Sequence, residues 1–263
     1  MRLEEKFEQL KLEGRKAFIA YVPYGFPDIK LTKEICLRLQ DSGVDIIELG
    51  IPFSDPLADG PIIQRATSAA LQKGANIEKC FISLSQMLKS LKIPVVLMTY
   101  YNPIYRYGLK KFFLKMKQLG VTAVTVVDLP LEESKEYIEL ARNFDIETVF
   151  FATPTTSKQR LVKIVRQSRG FLYYISVTGI TGPRNLQYSP LIKYIKQIKS
   201  ISKIPVCVGF GIHSRAQIKK ICSFSDGVIV GSSIVRFIED NYQKSNFLDR
   251  LQSYVKSLLL NNV

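Results

Sequence analysis

Eight short apolar segments recur along this chain, and each is rich in β-branched or aromatic residues. They span residues 17–22, 45–51, 94–100, 123–128, 147–152, 171–177, 205–209 and 227–231. Each is apolar along most of its length, which is typical of parallel strands in a sheet that is covered on both faces. Segments with helical periodicity lie between them; in residues 31–39, for example, Ile35 and Leu39 share one face. The repeated strand–helix unit therefore predicts an α/β protein built as a single (β/α)8 TIM barrel.

An open, doubly wound sheet is the alternative arrangement for such units. It is disfavoured because no G-x-G-x-x-G fingerprint follows the first strand, and because there are eight strands. The chain has no linker and no low-complexity tract, so we expect residues 1–263 to form one domain. At the start of the chain, Leu3, Phe7 and Leu10 follow an i, i+4, i+7 pattern. This spacing predicts an amphipathic leading helix before the barrel.

Neither a membrane span nor a secretory signal is expected. No apolar run approaches the ~20 residues that cross a bilayer. Acidic residues such as Glu4 and Glu5 stand where a signal peptide would have its apolar region. We therefore expect a cytoplasmic protein, or one in the soluble phase of a plastid if it is organelle-encoded.

The formal net charge of +14 raises the question of nucleic-acid binding. The basic residues, however, alternate with apolar ones in helix-like segments such as residues 193–199, a pattern typical of solvated helix faces. We expect no nucleic-acid partner, and a positive field that attracts a phosphorylated substrate or an acidic partner. His213 is the only histidine, and the four cysteines form no C-x-x-C pair, so we expect buried, reduced thiols and no metal site.

The second predicted strand contains a carboxylate, Glu48, and the loop that follows contains Asp59. A carboxylate inside an apolar strand destabilises the fold unless it is paired, so its presence indicates either a partner or a function. Burial moves its pKa toward the range in which it can both give and take a proton. Because the carboxyl ends of barrel strands carry the chemistry in this architecture, these two acids are predicted to be a catalytic pair. Tyr173, on the sixth strand, is a further candidate.

The seventh and eighth strands end in glycine-rich turns that each open a helix. These turns contain Gly211 and the pair Gly231 and Ser232. Glycine lets backbone N–H groups approach a ligand closely, and a helix N-terminus attracts anions. The position after strands seven and eight is a frequent phosphate site in barrels. We therefore predict a phosphate site here, with Gly182 as a third contributor from a candidate lid loop, residues 178–190.

Residues that are missing from the sequence exclude several reaction types but leave more than one open. None of the eight predicted strands contains the lysine that a Schiff-base aldolase needs. A zinc-dependent aldolase would need several histidines, and no nucleotide fingerprint points to a redox cofactor. Cofactor-free acid–base work on a phosphorylated substrate remains, and both an isomerase and a retro-aldol lyase fit that description.

The segment ELGIPFSDPLADGPIIQ, residues 48–64, closely resembles the signature segment of the tryptophan synthase alpha subunit family. Further segments resemble the family in the same order along essentially the whole chain: residues 97–103, 127–130, 179–182, 209–212 and 231–233. The resemblance implies retro-aldol cleavage of indole-3-glycerol phosphate to indole and glyceraldehyde 3-phosphate, without a metal or cofactor.

The resemblance also implies roles for individual residues. Glu48 matches the family's general acid–base, Asp59 the carboxylate that binds the indole N–H, and Tyr173 a neighbouring tyrosine. Phosphate is implied to bind to backbone donors of four residues: Gly182, Gly211, Gly231 and Ser232. The indole pocket is implied to include five residues: Tyr21, Met98, Thr125, Val127 and Phe151. Thr181 matches a threonine of the mobile loop, and Val177 stands where some members have an arginine that anchors that loop.

A partner is implied as well, namely the beta subunit that carries pyridoxal phosphate, in an αββα heterotetramer. Residues implied at that interface are Pro52, Asp55, Pro56 and Asn102. Three alternatives stay open: a stand-alone lyase that releases indole, another phosphate-binding barrel enzyme such as a sugar-phosphate isomerase, and a non-catalytic subunit that only activates the beta chain. Intact Glu48, Asp59 and glycine loops favour a catalytic subunit.

Overall fold

Eight parallel strands close into a barrel in the computed structural model, which describes residues 1–176, 188–209 and 211–259. The strands are β1 (Ala17–Pro23), β2 (Ile46–Gly50), β3 (Val95–Thr99), β4 (Ala123–Val126), β5 (Glu147–Ala152), β6 (Leu172–Ile175), β7 (Val206–Gly209) and β8 (Gly227–Val230). Each strand pairs in parallel with its neighbour along the chain, and β1 pairs with β8 to close the barrel. The predicted (β/α)8 fold is confirmed.

Helices surround the barrel and supply most of the apolar cover for its outer face. In the described part of the chain they are α1 (Leu3–Leu12), α2 (Ile29–Asp41), α3 (Pro61–Gln72), α4 (Ile77–Met87), α5 (Tyr101–Tyr107), α6 (Leu109–Leu119), α7 (Lys135–Asn143), α8 (Lys158–Gln167), α9 (Tyr188–Ile201), α10 (Arg215–Cys222), α11 (Ser232–Asn241) and α12 (Phe247–Leu258). A short 3-10 helix, Leu131–Glu133, precedes α7. Of the helices described, none combines the length and the apolar character that a membrane crossing requires.

Local chemistry explains where the elements begin and end. Helix α2 starts where the Asp28 side chain accepts a hydrogen bond from the Lys30 N–H at 2.8 Å, as an N-cap residue does. Strand β2 begins one residue later than predicted, because the Asp45 side chain turns aside to accept from the Phe18 N–H at 3.0 Å. The sixth predicted strand, 171–177, is observed as Leu172–Ile175, and Val177 lies outside the described residues.

The predicted leading helix is confirmed as α1, and it covers the amino-terminal end of the barrel. Leu3, Phe7 and Leu10 are buried in the same cluster as the apolar side chains that fill the barrel interior. The carboxylate of Glu147, the first residue of β5, accepts hydrogen bonds from the N–H groups of Leu3 at 3.0 Å and Glu4 at 3.2 Å. Because α1 occupies this end, the cavity available for a substrate lies at the carboxyl end of the strands.

Candidate active site

A cavity of about 320 Å³ opens at the carboxyl end of the barrel. It brings together eight of the residues that the sequence predicted for the site, which are Tyr21, Glu48, Asp59, Met98, Tyr173, Gly211, Gly231 and Ser232. Ile63, Ile212 and Ile229 add apolar lining. The cavity is therefore apolar in most of its wall, with a few polar groups, as small-molecule sites usually are.

Glu48 lies in the middle of β2, in register with Tyr21 of β1 and Val96 of β3. Its side chain is buried, with 1% exposure, and neither carboxyl oxygen has a hydrogen-bond partner among the described residues. Burial, and secondly the charge of Asp59, raise its pKa to about 8. A carboxyl with this pKa is protonated at neutral pH and can both give and take a proton there.

Asp59 lies at the end of the loop after β2 and is held by Tyr100, at the end of β3. The Tyr100 O–H donates to Asp59 Oδ2 at 3.0 Å and accepts from the Ala58 N–H at 3.1 Å. The rings of Phe53 and Tyr100 also pack with centroids 5.3 Å apart. Burial raises the pKa of Asp59 to about 6, and the hydrogen bond from Tyr100 opposes that rise. Asp59 is thus ionised at neutral pH while Glu48 is protonated.

Tyr100 was not predicted as a site residue, although it is the last residue of the third predicted strand. The available signal was its position on the strand next to β2, because residues at the carboxyl ends of neighbouring parallel strands lie close together. What the sequence did not show was that its hydroxyl reaches both the backbone and the carboxylate of the Asp59 loop. Arg236 and His213 also line the cavity; Arg236 was not named from the sequence, and His213 was noted only as the single histidine.

Two glycines make room for the tyrosines at the cavity wall. A Cβ on Gly209 would lie 2.5 Å from the hydroxyl oxygen of Tyr173. A Cβ on Gly50 would collide in the same way with the hydroxyl of Tyr21. These positions therefore require glycine for close approach of a ring, not for an unusual backbone angle. Burial raises the pKa of both phenols well above the ordinary value, so both stay neutral.

The predicted phosphate-binding residues that the structure describes all line this cavity. Gly211 has a positive φ of 75°, which favours glycine, and a Cβ there would meet nothing within 4 Å. Helix α11 begins at Ser232, directly after Gly231, and no side chain caps its N-terminus. Its first N–H groups have no acceptor within the helix, and because Ser232 and Ser233 of this first turn line the cavity, they are suited to bind an anion there. Gly182 and Thr181 lie outside the described residues.

Three of the predicted indole-pocket residues do not line the main cavity. Thr125 is fully buried and donates its hydroxyl to the Val149 carbonyl at 2.9 Å, within the barrel wall. Phe151 packs edge-on against Tyr173, with ring centroids 4.9 Å apart. Val127 lines a smaller cavity next to the main one. Of the five, only Tyr21 and Met98 reach the main cavity directly.

The predicted partner-interface residues lie on the loop after β2 and, for Asn102, in the first turn of α5. Asp55 and Asn102 are exposed, Pro56 is half-buried and Pro52 is buried. Two large apolar side chains, not named in the sequence analysis, are exposed in the same two segments: Leu57 at 87% and Tyr105 at 70%. The segments adjoin because Tyr100, one residue before α5, hydrogen-bonds to the loop that carries Leu57.

The described residues offer no set of ligands for a metal ion. No group of three or more His, Cys, Asp or Glu side chains among them is placed to hold one. The four cysteines are free and buried, and burial raises the pKa of the Cys36 thiol to about 12 and of the Cys222 thiol to about 11. Within the cavity, the ionisable groups are two carboxyls, two phenols, one imidazole and one guanidinium.

Comparison with known proteins places this site in a family. The family model described as "Tryptophan synthase alpha chain" matches residues 7–260. The chain belongs to the tryptophan synthase alpha chain family. The resemblance found in the sequence is thereby confirmed over nearly the whole chain.

Curated members and solved structures of the family are similar along their full length. The tryptophan synthase alpha chain of Thermoanaerobacter sp. (strain X514) is 42% identical over 257 residues, which is 98% of each chain. That of Citrifermentans bemidjiense is 38% identical, covering 98% of this chain and 96% of the relative. The structure of the Legionella pneumophila alpha subunit superposes with a TM-score of 0.91 at 34% identity, and a chain of Mycobacterium tuberculosis tryptophan synthase with 0.90 at 34%. Both superpositions cover 98% of this chain and 96% of the other.

Proposed function

We propose that this chain catalyses the alpha reaction of tryptophan biosynthesis, the retro-aldol cleavage of indole-3-glycerol phosphate to indole and glyceraldehyde 3-phosphate. It is then a carbon–carbon lyase that acts within the single domain of residues 1–263. The observation that carries the proposal is Glu48, a buried carboxyl without a partner among the described residues, beside Asp59 in one cavity. Family membership supplies the substrate.

Glu48 is the proposed general acid–base. The protonated carboxyl donates its proton to C3 of the indole ring, and the ring becomes a cation. The carboxylate that remains accepts the proton of the glycerol hydroxyl next to the scissile bond, so that an aldehyde forms as the carbon–carbon bond breaks. The bonding electrons return to the indole ring and Glu48 is protonated again, so protons and electrons balance. A pKa of about 8 suits both transfers near neutral pH.

Asp59 is the proposed electrostatic stabiliser. Its carboxylate accepts a hydrogen bond from the indole N–H, which strengthens as positive charge develops on the ring. This role requires the ionised form, and its pKa of about 6 keeps it ionised at neutral pH. Tyr100 is a positioning residue in this scheme, because its hydroxyl restrains Asp59 Oδ2 and the preceding backbone. Tyr173 is proposed to contact the substrate beside Glu48.

Substrate binding is proposed to divide along the cavity. The indole ring lies against Tyr21 and Met98, with Thr125, Val127 and Phe151 shaping the wall behind them. The phosphate is bound by N–H groups of Gly211, Gly231 and Ser232, where α11 begins without a side-chain cap. Gly182 is proposed to join this site, and Thr181 to close toward Asp59, from the segment outside the described residues.

The proposed partner is the tryptophan synthase beta subunit, which would carry pyridoxal phosphate, while this chain itself uses no cofactor. An αββα heterotetramer in the cytoplasm is the proposed assembly. Exposed Leu57 and Tyr105 support a contact at the mouth of the cavity, because large apolar side chains gain most from being covered. Asp55, Pro56 and Asn102 lie on the same two segments, and Pro52 would shape the loop from within.

The test is to measure indole release from indole-3-glycerol phosphate, with and without an added tryptophan synthase beta subunit. Release that the partner accelerates supports the full proposal. Fast release that the partner does not change would leave a stand-alone lyase. If no indole appears under either condition, the lyase assignment fails, and activation of the beta reaction alone would then identify a non-catalytic subunit.

A further inference from the structure

Arg236 lies on the wall of the cavity where the phosphate site is proposed, and its charge helps to lower the pKa of Glu239 without forming an ion pair with it. The residue is exposed, lines the cavity together with Ser232 and Ser233, and belongs to none of the ion pairs in the described part of the chain. The carboxylate of Glu239, three residues further along α11, is held by Arg65 through two hydrogen bonds of 3.0 and 2.9 Å. The guanidinium of Arg236 is therefore available for an anion.

The geometry of α11 directs Arg236 toward the phosphate end. It follows Ser232, the first residue of the helix, by four positions, and residues four apart lie on one face. Helical side chains lean toward the N-terminus, so a long side chain at this position extends over the first turn. The Ser233 hydroxyl contacts the Ile212 carbonyl at 3.4 Å, which holds that turn against the loop after β7. The positive end of the helix and the guanidinium thus face the same space.

The acidic and basic groups of the cavity come from different elements of the barrel. Its acids, Glu48 and Asp59, lie on β2 and the loop that follows, whereas Arg236 lies on the helix after β8. His213, whose Nδ1 is 2.9 Å from the Gly211 carbonyl, stands beside the same glycine loop as the proposed phosphate site. A substrate with a cationic transition state at one end and a phosphate dianion at the other matches this distribution of charge.

We infer that Arg236 is a specificity residue for the phosphate group, adding a charge-assisted hydrogen bond to the backbone N–H donors of the glycine loops. The inference rests on the proposed function, because it concerns the phosphomonoester end of that substrate. Backbone N–H groups are neutral donors with fixed directions. A guanidinium adds a full positive charge and a planar pair of donors that fits phosphate oxygens. Arg236 therefore selects for the dianionic phosphomonoester.

The experiment compares Arg236→Gln and Arg236→Lys with a matched control, Arg250→Gln. Arg250 is exposed on α12, away from the residues that line the cavity, and its loss changes the net charge of the protein by the same amount. Two quantities are measured: KM and kcat for indole-3-glycerol phosphate, and the Kd of inorganic phosphate by calorimetry. Arg236→Gln should raise both KM and this Kd about tenfold, with kcat changed by less than about twofold.

Arg236→Lys should recover part of the loss, since the charge is kept and the planar donor pair is not. The difference between Arg236→Gln and the control should shrink as salt is added, because exposed charges are screened. If Arg236→Gln has the same KM and the same phosphate Kd as Arg250→Gln, the inference is overturned. If the wild type binds phosphate with this dependence on Arg236 but releases no indole, the proposed reaction fails while the phosphate assignment stands.

Discussion

Replacing Glu48 with glutamine should stabilise the folded protein at alkaline pH and change its stability little near pH 4. The wild-type carboxyl is 1% exposed and has no hydrogen-bond partner among the described residues. Its pKa rises from an ordinary value of 4.5 to about 8. Above that pH the fold must hold an unpaired buried charge, and glutamine removes that charge while keeping the shape of the side chain.

The sign and size follow from proton linkage. Between pH 4.5 and about 8 the folded state binds more protons at Glu48 than the unfolded state, so the stability due to this group is lost as pH rises. A pKa difference of one is worth about 1.4 kcal/mol, so the interval between the two pKa values amounts to on the order of 4–5 kcal/mol. Glu48→Gln does not lose this stability as pH rises. Above pH 8, its free energy of unfolding should therefore exceed that of the wild type by an amount of this order.

The assay is urea unfolding followed by circular dichroism at pH 5, 7 and 9, with Glu136→Gln as the control. Glu136 is exposed on α7, so replacing it changes the same chemical group without removing a buried charge. The control should follow the wild type at every pH. If the free energy of unfolding of Glu48→Gln decreases between pH 5 and pH 9 as much as that of the wild type, then burial does not raise the pKa of Glu48 and the reasoning is refuted.

Two further predictions concern groups that hold the site and the fold in place. Tyr100→Phe removes the donor to Asp59, so the pKa of Asp59 should rise above about 6, and the acidic limb of the kcat/KM profile should move to higher pH with it. An unchanged acidic limb would show that Tyr100 does not favour the ionised form of Asp59. Glu147→Ala removes the acceptor for the first N–H groups of α1 and should lower the free energy of unfolding by about 1–3 kcal/mol, more than Glu147→Gln, in urea titrations. An unchanged midpoint would show that α1 is anchored by its apolar face alone.

Much of the barrel could be predicted because the spacing of apolar residues along the sequence distinguishes strands from helices. All eight strands lie within the predicted segments or differ at their ends by one or two residues. The differences have local causes that periodicity does not contain. Asp45, for example, is polar in an apolar run because its side chain bonds to the Phe18 N–H and to Arg15 at 3.0 Å, so the strand begins after it.

For the site, the sequence could predict only which strand ends lie next to each other, because the order of the strands around the barrel follows the chain. Glu48 and Asp59 face one cavity, as their places at the carboxyl end of β2 suggested. Strand position alone did not show that the Thr125 hydroxyl donates to the Val149 carbonyl within the barrel wall, because the direction of a side chain depends on the stagger between strands. Contacts such as Tyr100 with Asp59, or the ring of Tyr173 over Gly209, depend on side-chain length and direction in three dimensions. Their residue types alone did not indicate them.

The most direct test of the account is the rate of indole release by Glu48→Gln, measured on indole-3-glycerol phosphate in the presence of the beta subunit. Both proposed proton transfers use this one carboxyl, so the variant should lose at least about 1,000-fold in kcat. It should still bind inorganic phosphate with the wild-type Kd, since the proposed phosphate site is on the loops after β7 and β8 and does not include Glu48. A variant that keeps wild-type kcat would contradict the central claim, because the proton would then come from another group.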